Sequence, residues 1–425
     1  MDPATNDAPP APSLLRRFLK PDIIRTLIYS NTTIVAQGLS LITVTAIIRT
    51  IGNTQFGLYQ YAIGLAGTAL LFGHLGTDST SFREFSMPTR HSCGALPRIL
   101  ILRTLGILVS LGILLGLTAL GKFPVSLMLL GAVCGTVMSE SLVRIANGWH
   151  RAHHLPWLDF LTTSGRSLLV LVLVFLIVPR IPNAQGIAYA YGLGAFIILV
   201  SLLVQWWPIL RVGWKTRFDW SIILKPAPTF MVIEAAGNLI GLVPVLVFGH
   251  WQEFSELGRY SIYSKYLGPF NILGGLYIQS LQPTLVQAFH RRERMGGAIR
   301  RGAKIVLGGS MLGVLGGLTV GAAMIYWLGG QHPLDLLLLG ILASFPVFFG
   351  ASSFTDSFLI AARKEQWMMI SHGSGIVSAL LIAWFLCPMG AWGGACATVM
   401  SFAIKALVGG ILGLAVSKKN TSSQA

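Results

Sequence analysis

Arg166, Lys265 and Lys405 each fall inside a long apolar run. A charge at that depth in a membrane is expensive, so it marks a working site by default. Arg49 and Arg259 stand at the ends of two further runs, in short polar turns. A guanidinium grips an oxyanion with two parallel hydrogen bonds, and an ammonium presents a compact point charge. These five cations are therefore candidates to bind an anionic substrate in a central cavity. The plainer readings are a structural ion pair for Arg166 and, for the lysines, stems that carry their charge out to the interface.

Four carboxylates accompany them: Glu234, Asp78, Glu140 and Asp356. Coupling transport to a proton or sodium gradient, or to the membrane potential, needs a group whose ionisation differs between conformations, and Glu234 is the preferred candidate. Glu140 lies four residues before Arg144, a spacing that permits an ion pair within one helix. Asn31, Asn238 and Asn271 can line a path for sugars or bond between helices. His150, His153 and His154 have helical metal-ligand spacing. They flank Arg151 in a short turn before Pro156 and Trp157, and read as an interfacial basic turn. The four cysteines, Cys93, Cys134, Cys387 and Cys396, form no CxxC pair and point to packing rather than to a metal or disulfide framework. No cofactor or metal is expected.

The elements that position these side chains must be membrane helices. Of 425 residues, 53% are hydrophobic and 11% charged, with a mean hydropathy of +0.69. A soluble domain carries about 25% charged residues. Twelve spans fit, at roughly 27–48, 58–77, 99–120, 125–147, 157–178, 184–206, 227–249, 260–284, 303–328, 334–360, 367–386 and 391–415. No alternating strand pattern of the barrel kind appears. At about 1.5 Å of rise per residue, Arg166 lies roughly 13 Å into its span, Lys265 roughly 8–9 Å from the outer end of its own, and Lys405 roughly 15 Å from the inner end. Gly309, Gly313, Gly317 and Gly321 recur every fourth residue in the ninth span and predict a ridge for close helix contact.

The first residues are Pro- and Ala-rich and lack an apolar signal core, so they read as a disordered tail before an uncleaved first span. With the N-terminus inside, basic residues favour the cytoplasmic loops by about six to one, the positive-inside pattern. That bias accounts for the net charge of +16 without a nucleic-acid partner. It implies a multi-pass protein of the cytoplasmic (inner) membrane with both termini cytoplasmic. The run from Arg291 to Lys304 then reads as a loop held by anionic headgroups.

The sequence also echoes itself. Gln55-Phe56-Gly57-Leu58-Tyr59 follows the first span, and Glu256-Leu257-Gly258-Arg259-Tyr260 follows the seventh. Ala184-Gln185-Gly186 opens the sixth span, and Ala391-Trp392-Gly393 opens the twelfth. A weaker echo pairs the turn near Arg151 and Trp157 with that near Arg363 and Trp367. The shared order and similar offset predict two parallel six-helix repeats around a central cavity, able to rock about it. The expected layout is a cytoplasmic tail (1–26), an N-lobe (27–210), a cytoplasmic linker (211–226), a C-lobe (227–416) and a second tail (417–425).

Arg49, Gly52, Phe56, Gly57, Leu58 and Tyr59, with the stretch His74 to Ser86, resemble the bacterial polysaccharide (O-antigen and exopolysaccharide) flippases of the multidrug/oligosaccharidyl-lipid/polysaccharide exporter superfamily. Gly258, Tyr260 and Pro283 match the same pattern in the second half, whereas Asn53-Thr54-Gln55 stands where acidic residues are frequent. The resemblance implies a protein that moves an undecaprenyl-diphosphate-linked oligosaccharide from the inner to the outer leaflet. It implies alternating access by two bundles and a cationic cavity for the diphosphate and sugars. Its partners would be the lipid-linked oligosaccharide, membrane lipids and other polysaccharide assembly proteins, in the making of lipopolysaccharide or exopolysaccharide. One alternative is a small-molecule drug or cation antiporter of the same superfamily. A membrane glycan polymerase or ligase is disfavoured, because every outer loop is short.

Overall fold

The computed structural model describes residues 21–85, 89–153, 155–216, 218–225, 227–271, 295–328, 334–362 and 364–422. Among them the regular elements are all helical, and ten stretches are long and apolar enough to cross a membrane. The first stretch, Ile34–Gly73, belongs to α1 (Pro21–Gly73), which breaks at Gly52 with φ 74° and ψ 178°. Only glycine adopts that conformation without strain. So α1 is two crossing arms joined by a turn. A helix over 254–271, α10, occupies the place expected of the eighth span. The twelve expected crossings therefore all have counterparts, the eighth as far as Asn271.

The remaining helices of the first half are α2 (Thr77–Phe85), α3 (Thr89–Ala119), α4 (Leu127–Ala152), α5 (Pro156–Phe160), α6 (Arg166–Ile177) and α7 (Ala184–Lys215). A short α8 (Ser221–Leu224) leads to α9 (Ala227–His250). After α10 come α11 (Met295–Gly316), α12 (Ala322–Leu328), α13 (Leu336–Ala343), α14 (Phe345–Ala361), α15 (Glu365–Leu386) and α16 (Ala391–Ser422). In the first half α4 and α6 pack on α7, and α3, α4 and α6 pack on α1. In the second half α15 and α14 pack on α16, and α9 packs on α15. Between the halves, α9 lies along α1.

The duplication is visible as repeated contacts. Gln55 Oε1 accepts from the backbone N–H of Ala184 at 3.1 Å, and Glu256 Oε2 accepts from that of Ala391 at 2.8 Å. Each turn thereby caps the start of the last span of its own half. Gly186 backs onto the carbonyl of Ile181 and Gly393 onto that of Leu386, close enough that a Cβ would clash with the oxygen. The two turns also meet each other. A Cβ at Gly57 would strike the carbonyl of Phe254, and one at Gly258 that of Asn53.

The seam between α1 and α9 is built from glycine holes. A Cβ at Gly64 would lie 2.6 Å from Val245 Cγ1, and one at Gly76 would lie 2.6 Å from the carbonyl of Ala227. Gly249 similarly receives the ring of Tyr61. Small residues at such positions let backbones approach closely in lipid. The glycine ridge expected in the ninth span behaves alike. A Cβ at Gly313 would lie 2.7 Å from the carbonyl of Phe270, and one at Gly321 would lie 2.7 Å from Leu267. Of the run from Arg291 to Lys304, residues 291–294 lie outside the described residues.

Candidate functional site

Arg166 opens α6 directly after a π-helical turn, Leu161–Gly165. Such turns re-aim the side chains that follow and are frequent at working sites. The guanidinium points across to α4 and pairs with Glu140, Nη1 to Oε1 at 2.9 Å. Both partners stay about a quarter accessible, at 29% and 27% of the side chain. Glu140 thus bonds between helices, and not to Arg144 on its own helix. Arg166 also lines a cavity of about 280 Å3 with Gln37, Ser40, Thr43, Thr163 and Tyr191. Hydroxyls, an amide and a guanidinium face one space, a surface suited to an anion and to sugars.

Two tyrosines and a lysine complete the cluster. The Tyr59 ring lies 5.8 Å from that of Tyr191, and both rings feel the charges of Glu140 and Arg166. Lys265 enters from α10 of the other half. Its side chain is exposed and feels the charges of Glu140 and Arg166. Among the described residues it makes no hydrogen bond or ion pair. Two cations thus stand against one carboxylate, which leaves a net positive charge.

The other singled-out residues lie elsewhere. Arg49 is exposed and reaches the carbonyl of Trp327 at 3.5 Å. Arg259 pairs with Asp335 at 2.6 Å and approaches Glu256 at 3.9 Å, so it ties loop to turn. Lys405 is buried on Asp356, Nζ to Oδ2 at 2.7 Å, with His372 Nε2 at 3.2 Å from the same oxygen. Asp78 pairs with Arg103 at 2.5 Å and stands 3.5 Å from His74. Glu234 feels the charge of Arg103, and its carbonyl accepts from Asn238 at 2.7 Å. Asn271 has a buried Oδ1 with no partner among the described residues. The side chain of Asn31 lies outside the described residues.

Sequence reasoning overlooked Arg103, a fully buried cation that donates to Ser141 at 2.7 Å and Thr77 at 2.9 Å. It also overlooked His74, His372, Tyr59 as a site residue, and Tyr191. Ser141 joins Arg103 to His74, 3.0 Å from its Nε2. Burial and the nearby charge of Arg103 push the His74 imidazole down to about 3. Of the histidine group, His150 is buried beside Trp206 and His153 stacks on Trp149 at 4.0 Å; His154 lies outside the described residues. A second cavity of about 790 Å3 is walled by apolar residues such as Leu65, Phe72 and Leu114, with Lys122, His250 and Gln252 also on its wall.

Residues 25–289 match the polysaccharide biosynthesis protein family. A search of curated proteins by sequence returns no match. In fold the chain is similar to the lipid II flippase MurJ in an inward closed conformation, with a TM-score of 0.70 and 14% identity over 93% of this chain and 91% of that one. It is similar to a multidrug resistance MATE family transporter of the MOP superfamily in its inward-facing conformation, with a TM-score of 0.61 and 15% identity over 96% and 100%. The outward-facing conformation of a transporter of that kind gives 0.60 and 14% over 93% and 96%. This multi-pass membrane protein has the MurJ/MATE-like fold of the MOP superfamily transporters, and the chain belongs to the polysaccharide biosynthesis protein family.

Proposed function

We propose that the protein flips an undecaprenyl-diphosphate-linked oligosaccharide from the inner to the outer leaflet of the cytoplasmic membrane, by alternating access of its two halves, for surface polysaccharide assembly. The observation that carries this reading is the net positive cluster of Arg166 and Lys265 against Glu140, beside a cavity of hydroxyls and an amide. A diphosphate is doubly anionic and takes such a site. A cationic drug needs the opposite sign, so the same cluster counts against the antiporter reading. Arg166 and Lys265 come from different halves, so a cargo bound to both would tie the halves together. Membership of the family and likeness to a lipid II flippase support a lipid-linked cargo. The basic loops support cytoplasmic termini.

The test is deletion of the gene followed by assay of surface glycan and of lipid-linked oligosaccharide on each leaflet. The expected result is cytoplasmic-leaflet accumulation, restored by the wild-type chain but not by Arg166→Ala inserted at the same level. Intact surface glycan without a compensating flippase would overturn the reading. Efflux of cationic dyes by the purified protein would favour the antiporter instead.

A further inference from the structure

A second polar cluster lies in the other half, away from Arg166. Three helices contribute to it: Asp356 from α14, His372 from α15 and Lys405 from α16. Asp356 Oδ2 accepts from Lys405 Nζ at 2.7 Å and from His372 Nε2 at 3.2 Å. A carboxylate engaged by an ammonium is ionised, so His372 must donate through Nε2. Its proton-free Nδ1 is then a bare acceptor. That Nδ1 is buried and has no hydrogen-bond partner among the described residues; Asp356 Oδ1 is in the same state. Buried polar atoms without partners are rare, and each calls for an explanation.

The surroundings are built rather than incidental. Ser371 Oγ donates to the carbonyl of Lys405 at 2.9 Å, and a Cβ at Gly375 would lie 3.3 Å from Lys405 Cβ. The imidazole faces α9 at Gly237, where a Cβ would lie 3.2 Å from Cε1 and 3.4 Å from Nδ1. The ionisable groups around the ring are thus Asp356 from α14 and Lys405 from α16. On α9 the closest in sequence is Glu234, one turn before Gly237.

We propose that Asp356, His372 and Lys405 form a proton-binding site, in which His372 takes up a proton on Nδ1 and passes the change of charge to α9. With neutral His372 the charges of Asp356 and Lys405 cancel. After protonation the site carries one net positive charge in a buried place, and Nδ1–H becomes a donor directed at α9. That helix lies on α1 of the other half, so a proton here bears on the contact between the halves. The inference rests on the transport reading but not on the glycan as cargo.

The test counts protons on the full-length protein in lipid nanodiscs without cargo, using a pH-indicator dye from about pH 8 down to about pH 5, the range in which imidazoles titrate. Wild type should take up one proton more than His372→Gln, whose amide still donates to Asp356. His74 stays neutral in this range, because burial and Arg103 hold it near 3. Lys405→Met removes a neighbouring cation and should raise the midpoint of the His372-dependent step by about one pH unit or more. Equal counts for wild type and His372→Gln overturn the proposal, as does an unmoved midpoint in Lys405→Met. If Lys405→Met does not fold, the His372→Gln count alone decides. A normal count with no flipping of lipid-linked oligosaccharide would instead overturn the glycan reading and leave this site standing.

Discussion

At the scale of residues, the ion pair between Arg166 and Glu140 is about a quarter open, with Arg166 on the cavity wall, and this separates it from a packing device. A pair with both partners partly accessible adds little to stability. In the proposed function its worth lies in holding the guanidinium fork ready for an oxyanion. Arg166→Lys keeps the charge and loses the fork. It should reduce flipping by about tenfold, the loss of one strong hydrogen bond or roughly 1.4 kcal/mol, with unchanged thermal unfolding; this is read in reconstituted vesicles. His74 gives a second expectation. Its imidazole titrates at about 3 when folded against an ordinary value of 6.5. The unfolded chain therefore binds the proton first. The stability this residue contributes is complete above about pH 6.5 and is lost progressively as the pH falls toward 3. The unfolding temperature in detergent should drop over that interval, and His74→Gln should flatten this part of the drop.

At the scale of elements, the duplicated turns explain more than a change of chain direction. Gln55 and Glu256 each hold the last span of their half, while Gly57 and Gly258 press against one another's turn. The turns are therefore a latch at the end of the bundle opposite the basic loops. A methyl at position 258 would meet the carbonyl of Asn53, a backbone atom that cannot step aside. Overpacking of this kind costs about 1–3 kcal/mol. Gly258→Ala should shift the closed population at that end by about tenfold, read as faster labelling of a cysteine placed at Thr54. Unchanged labelling would show that the latch is not the closing contact. Much of this was legible in the sequence, because a turn, a glycine and an apolar flank repeat as letters. That the echoes touch was not legible, since spacing along the chain carries no distance between segments two hundred residues apart.

At the scale of the whole molecule, hydropathy and the placement of lysine and arginine led directly to a twelve-span helical bundle. Depth within a span likewise singled out Arg166, Lys265 and Lys405. Partnership was harder. Glu140 has Arg144 one turn away in sequence and Arg166 across the bundle, and only the packing of α4 against α5 and the π-helical turn before Arg166 decides between them. Arg103 escaped notice because it lies near the basic end of α3, where an arginine reads as an interface anchor. His372 escaped because a single imidazole in a span carries no spacing pattern. The glycine holes of the α1–α9 seam bear on the warmth at which the protein can work. The holes admit side chains of both sizes, Val245 at Gly64 and the ring of Tyr61 at Gly249. Parting the halves there uncovers apolar side chains of one buried cluster, Tyr61, Leu65, Val243 and Val247 among them, and heat capacity follows uncovered surface. The balance between open and closed states should then bend with temperature, so the transporter's set-point shifts between cold and heat while the lipid around it stiffens and melts.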